Sequence, residues 1–214
     1  MLNHPFTAFS KSNRRLILLL ISCHLLWSGV VFGLWQVGQL IESTPYWSAG
    51  FVALQLFAAA QLLLPALLLH PEERNRSFYI FWGLILTACI WLSTQWPATL
   101  IWKPLLNVIK AGLLLLIGTL VAAALARYVR RLWELVPICM AMTLADVVSW
   151  SSGPTAMFVQ QIEQYYLSPE GPAPLIDMIL VKLAFPGITG LTPVFGISDW
   201  IIVVFIAIVA HRHG

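Results

Sequence analysis

Residues 195–210 read FGISDWIIVVFIAIVA and place Asp199 at the beginning of an apolar run. The apolar stretch extends over 191–210, close to the ~20 residues that a helix needs to cross ~30 Å of hydrocarbon. A charged residue inside a membrane segment costs roughly 2.5–3.5 kcal/mol on insertion scales and has a functional role by default. The stretch therefore predicts a transmembrane helix with a functional carboxylate, and the first question is which group Asp199 faces.

The composition of the whole chain is that of a polytopic membrane protein. The 214 residues are 59% hydrophobic and 10% charged, whereas soluble domains have about 25% charged residues. There is no basic stripe interleaved with exposed aromatics, so the lipid bilayer, and not a nucleic acid, is the expected partner. The cysteines and histidines are scattered along the chain, so no metal site and no cofactor are predicted.

Six apolar stretches have about the length of a membrane span. They are 16–41, 46–69, 78–96, 98–126, 132–151 and 191–210. Backbone in lipid must satisfy its own hydrogen bonds, so these stretches are expected to be helices. The predicted fold is all-α: a polytopic membrane helix bundle with about six transmembrane helices, forming one transmembrane domain over 1–214. The linker 152–190 contains the short apolar stretch PLIDMILVKLAFPG at 174–187, expected to be a short amphipathic or re-entrant helix.

The basic residues predict the orientation of the bundle. Nine of the 12 form four clusters: Lys11 with Arg14 and Arg15; Arg74 with Arg76; Arg127 with Arg130 and Arg131; and Arg212. If 174–187 does not cross the membrane, all four clusters fall on one side, and both termini are cytoplasmic by the positive-inside rule. If 174–187 does cross, Arg212 changes side. The charge distribution favours six spans.

A second carboxylate, Asp146 in MTLADVVSW, also lies within an apolar run, and neither it nor Asp199 has a Lys or Arg within a helical turn. Asp146 follows Arg131 by 15 residues, about 22 Å along a helix. Asp199 precedes Arg212 by 13 residues, about 20 Å. In the six-span topology the two aspartates therefore lie at the same depth and can meet across a helix–helix contact.

Two neighbouring carboxylates in a site of low dielectric constant cannot both ionise easily, so they share a proton. An aspartic protease uses this arrangement: the ionised member takes a proton from water while the protonated member polarises the peptide carbonyl. The same two acids at matched depth also fit a proton or cation site in a transporter or channel, or a role in helix packing. Spacing alone leaves these alternatives open.

The residues around each aspartate resemble those of a protease family. The segment ADVVSWSSGPTAMFVQQIEQ at 145–164 resembles the region of the first catalytic aspartate of presenilins, with Asp146 followed by an apolar stretch and then by Gly153 and Pro154. FGISDW resembles the second signature, Gly-x-Gly-Asp, with Gly196, Ser198 and Asp199 in its positions. The resemblance covers about 140–210 and is to the presenilin-like, or signal-peptide-peptidase-like, GxGD intramembrane aspartyl proteases.

This resemblance implies an aspartic endopeptidase that cleaves transmembrane-helix substrates, with Asp146 and Asp199 as its catalytic pair. Gly153, Pro154, Gly196 and Ser198 would shape the site, and Ser198 stands where the family has glycine. The family also has a Pro-Ala-Leu motif in a helix beyond the second aspartate. This sequence has none there, and Pro65-Ala66-Leu67 in the second span is a candidate for a relocated motif. A non-catalytic homologue that binds helices is a further alternative.

Overall fold

The protein is described by a computed structural model over residues 11–70, 74–95, 102–168 and 174–214, and these residues are mostly helical. The helices are α1 (Lys11–Gly38), α2 (Pro45–Ala60), α3 (Leu63–Leu67), α4 (Arg76–Gln95), α5 (Lys103–Ala126), α6 (Leu135–Ser152), α7 (Pro154–Leu167) and α8 (Ile197–His213). Two 3-10 helices cover Leu132–Glu134 and Leu175–Ile179, and two strands, β1 (Leu180–Leu183) and β2 (Thr192–Gly196), form an antiparallel hairpin.

Five segments of the described chain are long and apolar enough to cross a membrane: Ser12–Gly38, Pro45–Leu67, Arg76–Ser93, Lys103–Ala126 and Leu132–Ser149. The prediction of a largely helical protein with several membrane-spanning helices is confirmed at this level. The sixth predicted span, 191–210, is instead strand β2 followed by the 17-residue helix α8. Parts of the predicted spans and linker, at 96, 98–101 and 169–173, lie outside the described residues.

Helix α5 is the centre of the bundle, and α1, α4 and α8 pack around it. Two glycines let neighbouring helices approach it closely. A methyl group on Gly112 would lie 2.2 Å from Ser28 Oγ, and one on Gly118 would lie 2.9 Å from Trp200 Cδ1. Small residues at such contacts let two helix backbones approach closely. Lipid tails are as apolar as the helices, so helices in a bilayer associate through close packing and not through the hydrophobic effect.

Hydrogen bonds between these helices fix their directions. Helix α1 runs antiparallel to α5, since Ser28 Oγ donates to Val108 O while His24 lies against Thr119. Helix α8 runs parallel to α5, since Trp200 bonds to Leu115 O near the start of α8 and Arg212 bonds to Ala126 O near its end. Helix α8 therefore begins about halfway along α5.

The β-hairpin packs beside the first half of α5. Leu180 pairs with Gly196 and Leu183 with Thr192, with an irregularity between Val181 and Lys182. The loop that joins the strands is fastened to the end of α1, where Gly187 N donates to Gly38 O at 2.8 Å. Non-helical backbone is tolerated at membrane depth where protein covers it, and Val181 and Leu183 are fully buried.

The prediction of a short helix over 174–187 is wrong for its second half. Only Leu175–Ile179 is helical, as a 3-10 helix, and β1 follows at once. Burial alternates along β1, with Val181 and Leu183 inside and Lys182 partly exposed, which is the pattern of a half-buried strand. The strand forms because β2 supplies its pairing partner.

The arginines of the described chain gather at one end of the bundle, whereas Lys103 begins α5 at the other end. The guanidinium carbon of Arg76 lies 5.7 Å from the Tyr128 ring centre, and Arg212 donates to the carbonyls of Ala126 and Val129. Helix α1, antiparallel to α5, begins at the same end, which brings Arg14 and Arg15 there. We call this the basic end of the bundle.

Candidate functional site

Asp199 lies in the first turn of α8, directly after strand β2. Gly196 is the N-cap of the helix, and its N–H donates to Asp199 Oδ2 at 3.0 Å. An acid at this position satisfies an otherwise unpaired N–H and interacts favourably with the helix dipole. The side chain is exposed. Asp199 thus helps to begin α8 and still presents a carboxylate at the junction of strand and helix.

Gly196 and Ser198 lie beside this carboxylate. A methyl group on Gly196 would lie 3.1 Å from Ser198 Oγ and 3.7 Å from Asp199 Oδ2. The Ser198 hydroxyl and the carboxylate therefore lie on the same side of the first turn, next to the bare Gly196 backbone. Both residues belong to the site that the sequence predicted.

A buried polar network fixes the position of Asp199 along α5 through its neighbour Trp200. The Trp200 indole N–H lies 3.0 Å from Leu115 O and 3.1 Å from Thr119 Oγ1, and the Thr119 hydroxyl lies 3.5 Å from His24 Nε2. His24 Nδ1 lies 2.8 Å from Leu20 O. Because a carbonyl oxygen only accepts hydrogen bonds, Nδ1 donates there. The first turn of α8 is thereby tied to both α5 and α1.

Asp146 lies on α6, and the residue is exposed. It comes 11 residues after the start of α6 at the basic end, about 16 Å. Asp199 comes 13 residues before Arg212, about 20 Å. Helix α6, however, packs mainly on α7 and on the 3-10 helix before it, and no residue of Leu132–Ser149 is buried. The helices that carry Asp146 and Asp199 therefore have no extended interface with each other.

Gly153 and Pro154 form the junction between α6 and α7. Gly153 is the N-cap of α7, and Pro154 is its first residue, where a missing N–H is tolerated. A methyl group on Gly153 would lie 2.7 Å from Ser149 Cα, so the tight bend requires glycine. Gly153 lies about 10 Å from Asp146 along the axis of α6.

The Pro65-Ala66-Leu67 motif forms most of α3, which packs against α8. Pro65 and Ala66 are buried. Gln55 of α2 is bonded to Ala184 at the end of β1. Pro65 lies about 15 Å from Gln55 along the helix, and Leu180 lies about 13 Å from Ala184 along β1. The motif therefore lies near the level of the Leu180–Gly196 pair, just before Asp199.

A cluster of Tyr166, Asp177 and Lys182 was not predicted as a site. Lys182 Nζ lies 2.5 Å from Asp177 Oδ2, and the Tyr166 hydroxyl donates to Asp177 Oδ1 at 3.0 Å. Burial, with the charge and hydrogen bond of Asp177, raises the pKa of Tyr166 above its usual value. The sequence signal was a pair of opposite charges five residues apart in an apolar stretch. The cluster ties the end of α7 to the hairpin.

Asp199 thus lies in the first turn of α8, directly after β2 and next to Trp200, which bonds to α5. Asp146 lies on a separate, loosely packed helix. Gly153 and Pro154 lie farther along the chain at the end of α6. No protein-family model, no curated protein and no solved structure matches the chain.

Proposed function

We propose that the protein is an intramembrane aspartic endopeptidase that hydrolyses peptide bonds of transmembrane substrates with Asp146 and Asp199. The observation that supports it is the position of Asp199: an exposed carboxylate halfway along α5, at the point where an extended strand becomes a helix. Counted along its helix, Asp146 is about 16 Å from the basic end, and the proposal places it at the depth of Asp199. A reaction centre at this depth would receive its substrate from within the bilayer.

The chemistry needs one carboxylate ionised and one protonated. The ionised aspartate removes a proton from water as the water oxygen attacks the carbonyl carbon, and the protonated aspartate hydrogen-bonds the carbonyl oxygen. The C–N bond then breaks as the amine takes up a proton. Helix α6 has no fully buried residue in its span and packs on the core through Leu135 and Ile138 near its start, so the proposal requires its later part to move to bring Asp146 to Asp199.

Strand β2 supports the choice of a peptide as the substrate. Its only described partner is β1, so its other edge is unpaired within the described chain, and Pro193 at that strand is typical of an edge position. A peptide bond inside a helix is shielded by the helix itself, so a substrate has to unwind locally. An extended peptide added to β2 would bring its backbone to Asp199, three residues beyond Gly196.

The proposal includes the six-span topology with both termini in the cytoplasm. The hairpin covers the first half of α5 and α8 covers the second half, so together they would make the sixth crossing. All four basic clusters then face the cytoplasm, as the positive-inside rule prefers.

The test is cleavage of a transmembrane reporter peptide by the purified protein in liposomes, with products identified by mass spectrometry. We expect Asp146→Asn and Asp199→Asn each to abolish cleavage. Glu163→Gln, which removes an exposed carboxylate of α7, is the matched control and should cleave normally. Unchanged cleavage in either aspartate variant would rule out the catalytic pair.

A transporter or channel is the second candidate, favoured by the exposure of Asp199 at the middle of the bundle. It predicts proton or cation flux in the same liposomes that depends on both aspartates, with no peptide product. A helix-binding protein without catalysis predicts reporter binding that survives both substitutions, again without product.

A further inference from the structure

A groove between α4 and α5 opens at the basic end of the bundle. Its volume is about 310 Å³, and its walls include Tyr79, Ile80 and Gly83 of α4 with Leu120, Val121 and Ala124 of α5. The walls are almost entirely apolar. An added side-chain carbon on Gly83 would meet no atom within 4 Å, so the groove has open space at this point.

Two arginines line the mouth of this groove. The guanidinium carbon of Arg76 lies 5.7 Å from the Tyr128 ring centre, and that of Arg127 lies 6.0 Å from the Tyr79 ring centre. Aromatic faces hold both cations in place. Within the described residues neither forms an ion pair with a carboxylate, so two positioned positive charges face the same opening.

The Tyr79 hydroxyl provides an independent indication of a ligand. Tyr79 is 7% exposed, and its oxygen has no hydrogen-bond partner among the described residues. Buried polar groups in native proteins nearly always have a partner. The unpaired hydroxyl belongs to a residue that lines the groove, and Arg127 lies over the same ring, so an acceptor oxygen brought to it would satisfy a buried polar group.

We propose that the α4/α5 groove binds an anionic glycerophospholipid. Its phosphate would accept hydrogen bonds from Arg76, Arg127 and the Tyr79 hydroxyl, and one acyl chain would lie along the apolar walls past Gly83. Basic pockets between transmembrane helices at the cytoplasmic side bind acidic lipid head groups. A free inorganic anion would leave the apolar part of the groove unused, and an apolar ligand without charge would leave the arginines unused.

The test is native mass spectrometry of the full chain in a non-ionic detergent, titrated with phosphatidylglycerol or with phosphatidylcholine of the same acyl chains. We expect phosphatidylglycerol to bind about tenfold more tightly, the difference that charge-assisted hydrogen bonds give. Arg76→Gln/Arg127→Gln should remove this preference. Arg131→Gln, which removes an exposed charge near the same end, should keep it. Equal binding of both lipids to the unchanged protein would overturn the proposal.

The apolar part of the site has its own test. Gly83→Leu fills the open space but keeps both arginines, and it should weaken phosphatidylglycerol binding by about tenfold because the acyl chain loses its place. Millimolar inorganic phosphate should not displace the lipid. If Gly83→Leu binds phosphatidylglycerol as the unchanged protein does, or if phosphate displaces it, the site holds an anion alone and the proposal is wrong.

Discussion

The Gln55 side chain forms two hydrogen bonds with the backbone of Ala184, at the end of strand β1. Gln55 Nε2 donates to Ala184 O at 2.9 Å, and Ala184 N donates to Gln55 Oε1 at 2.8 Å. The amide thus takes the place that a third strand would occupy. Gln55 is fully buried, and its own backbone carbonyl accepts the indole N–H of Trp27. Through this residue α1, α2 and the hairpin are held as one unit.

Gln55→Leu should destabilise the hairpin. Leucine has a similar volume but leaves the N–H and C=O of Ala184 buried and unpaired, which costs about 1–3 kcal/mol for each group. The measurements are chemical unfolding in detergent and hydrogen exchange at the Ala184 amide, which should become faster. Gln61→Leu, at an exposed position, is the control and should leave both unchanged. Slow exchange at Ala184 in Gln55→Leu would contradict the role assigned to the amide.

Gly118→Ala should loosen the contact between α5 and α8. The added methyl group would lie 2.9 Å from Trp200 Cδ1 and 3.3 Å from Ile197 Cγ1, so the indole must move away from Leu115 and Thr119. Overpacking of this kind costs about 1–3 kcal/mol. The expected result is a lower midpoint of unfolding in detergent. Gly50→Ala, where a methyl group meets nothing within 4 Å, should not lower the midpoint.

Two substitutions of Asp199 should separate its structural role from its proposed catalytic role. Asparagine keeps an oxygen that can accept from Gly196 N, whereas alanine does not. We expect Asp199→Ala to lose about 1 kcal/mol of stability, as for lost helix caps, and Asp199→Asn to lose less. Both should lack cleavage activity. Retained cleavage in Asp199→Asn would show that only the helix cap matters.

Removing one member of the Asp177–Lys182 ion pair should cost more than removing both. The side chains are 9% and 16% exposed, so Lys182→Met leaves a nearly buried carboxylate without its cation, at a cost of about 3 kcal/mol. Asp177→Leu/Lys182→Met should recover most of this loss. Unfolding in detergent at neutral pH measures both variants. Equal stability of the single and double variants would mean that the pair is solvated.

The helices were predictable because each one follows from local properties. Long apolar runs such as that of α5 can only be helices in lipid. The end of the bundle at which each basic cluster lies follows from counting the spans between the clusters. These results need no knowledge of which helix packs against which. The matched depth of Asp146 and Asp199 does need it and stays a prediction, because the rise per residue gives only the length along each helix and α6 has no extended interface with α8.

Lateral packing and strand pairing could not be predicted from such local properties. Strand β1 exists because β2 pairs with it across the loop, and four residues of alternating burial are too few to distinguish from a turn of helix. The loose packing of α6 has no local signal, since its composition matches that of the buried helices. The capping-box role of Asp199, as the acid three residues after the N-cap Gly196, could have been found, because Gly-x-x-Asp before an apolar run is a variant of a helix-start pattern.

The long-range contacts of the hairpin have a consequence for biogenesis. Its backbone partners, Gln55, Gly38 and Trp35, precede it in the chain by 129 to 154 residues, so they leave the ribosome long before it does. The hairpin has too few internal hydrogen bonds to enter lipid alone. Its insertion therefore waits until α1, α2 and α5 have assembled, and the segment bearing Asp199 reaches its place only after them. Any catalytic pair containing Asp199 is thereby absent from the partly synthesised protein.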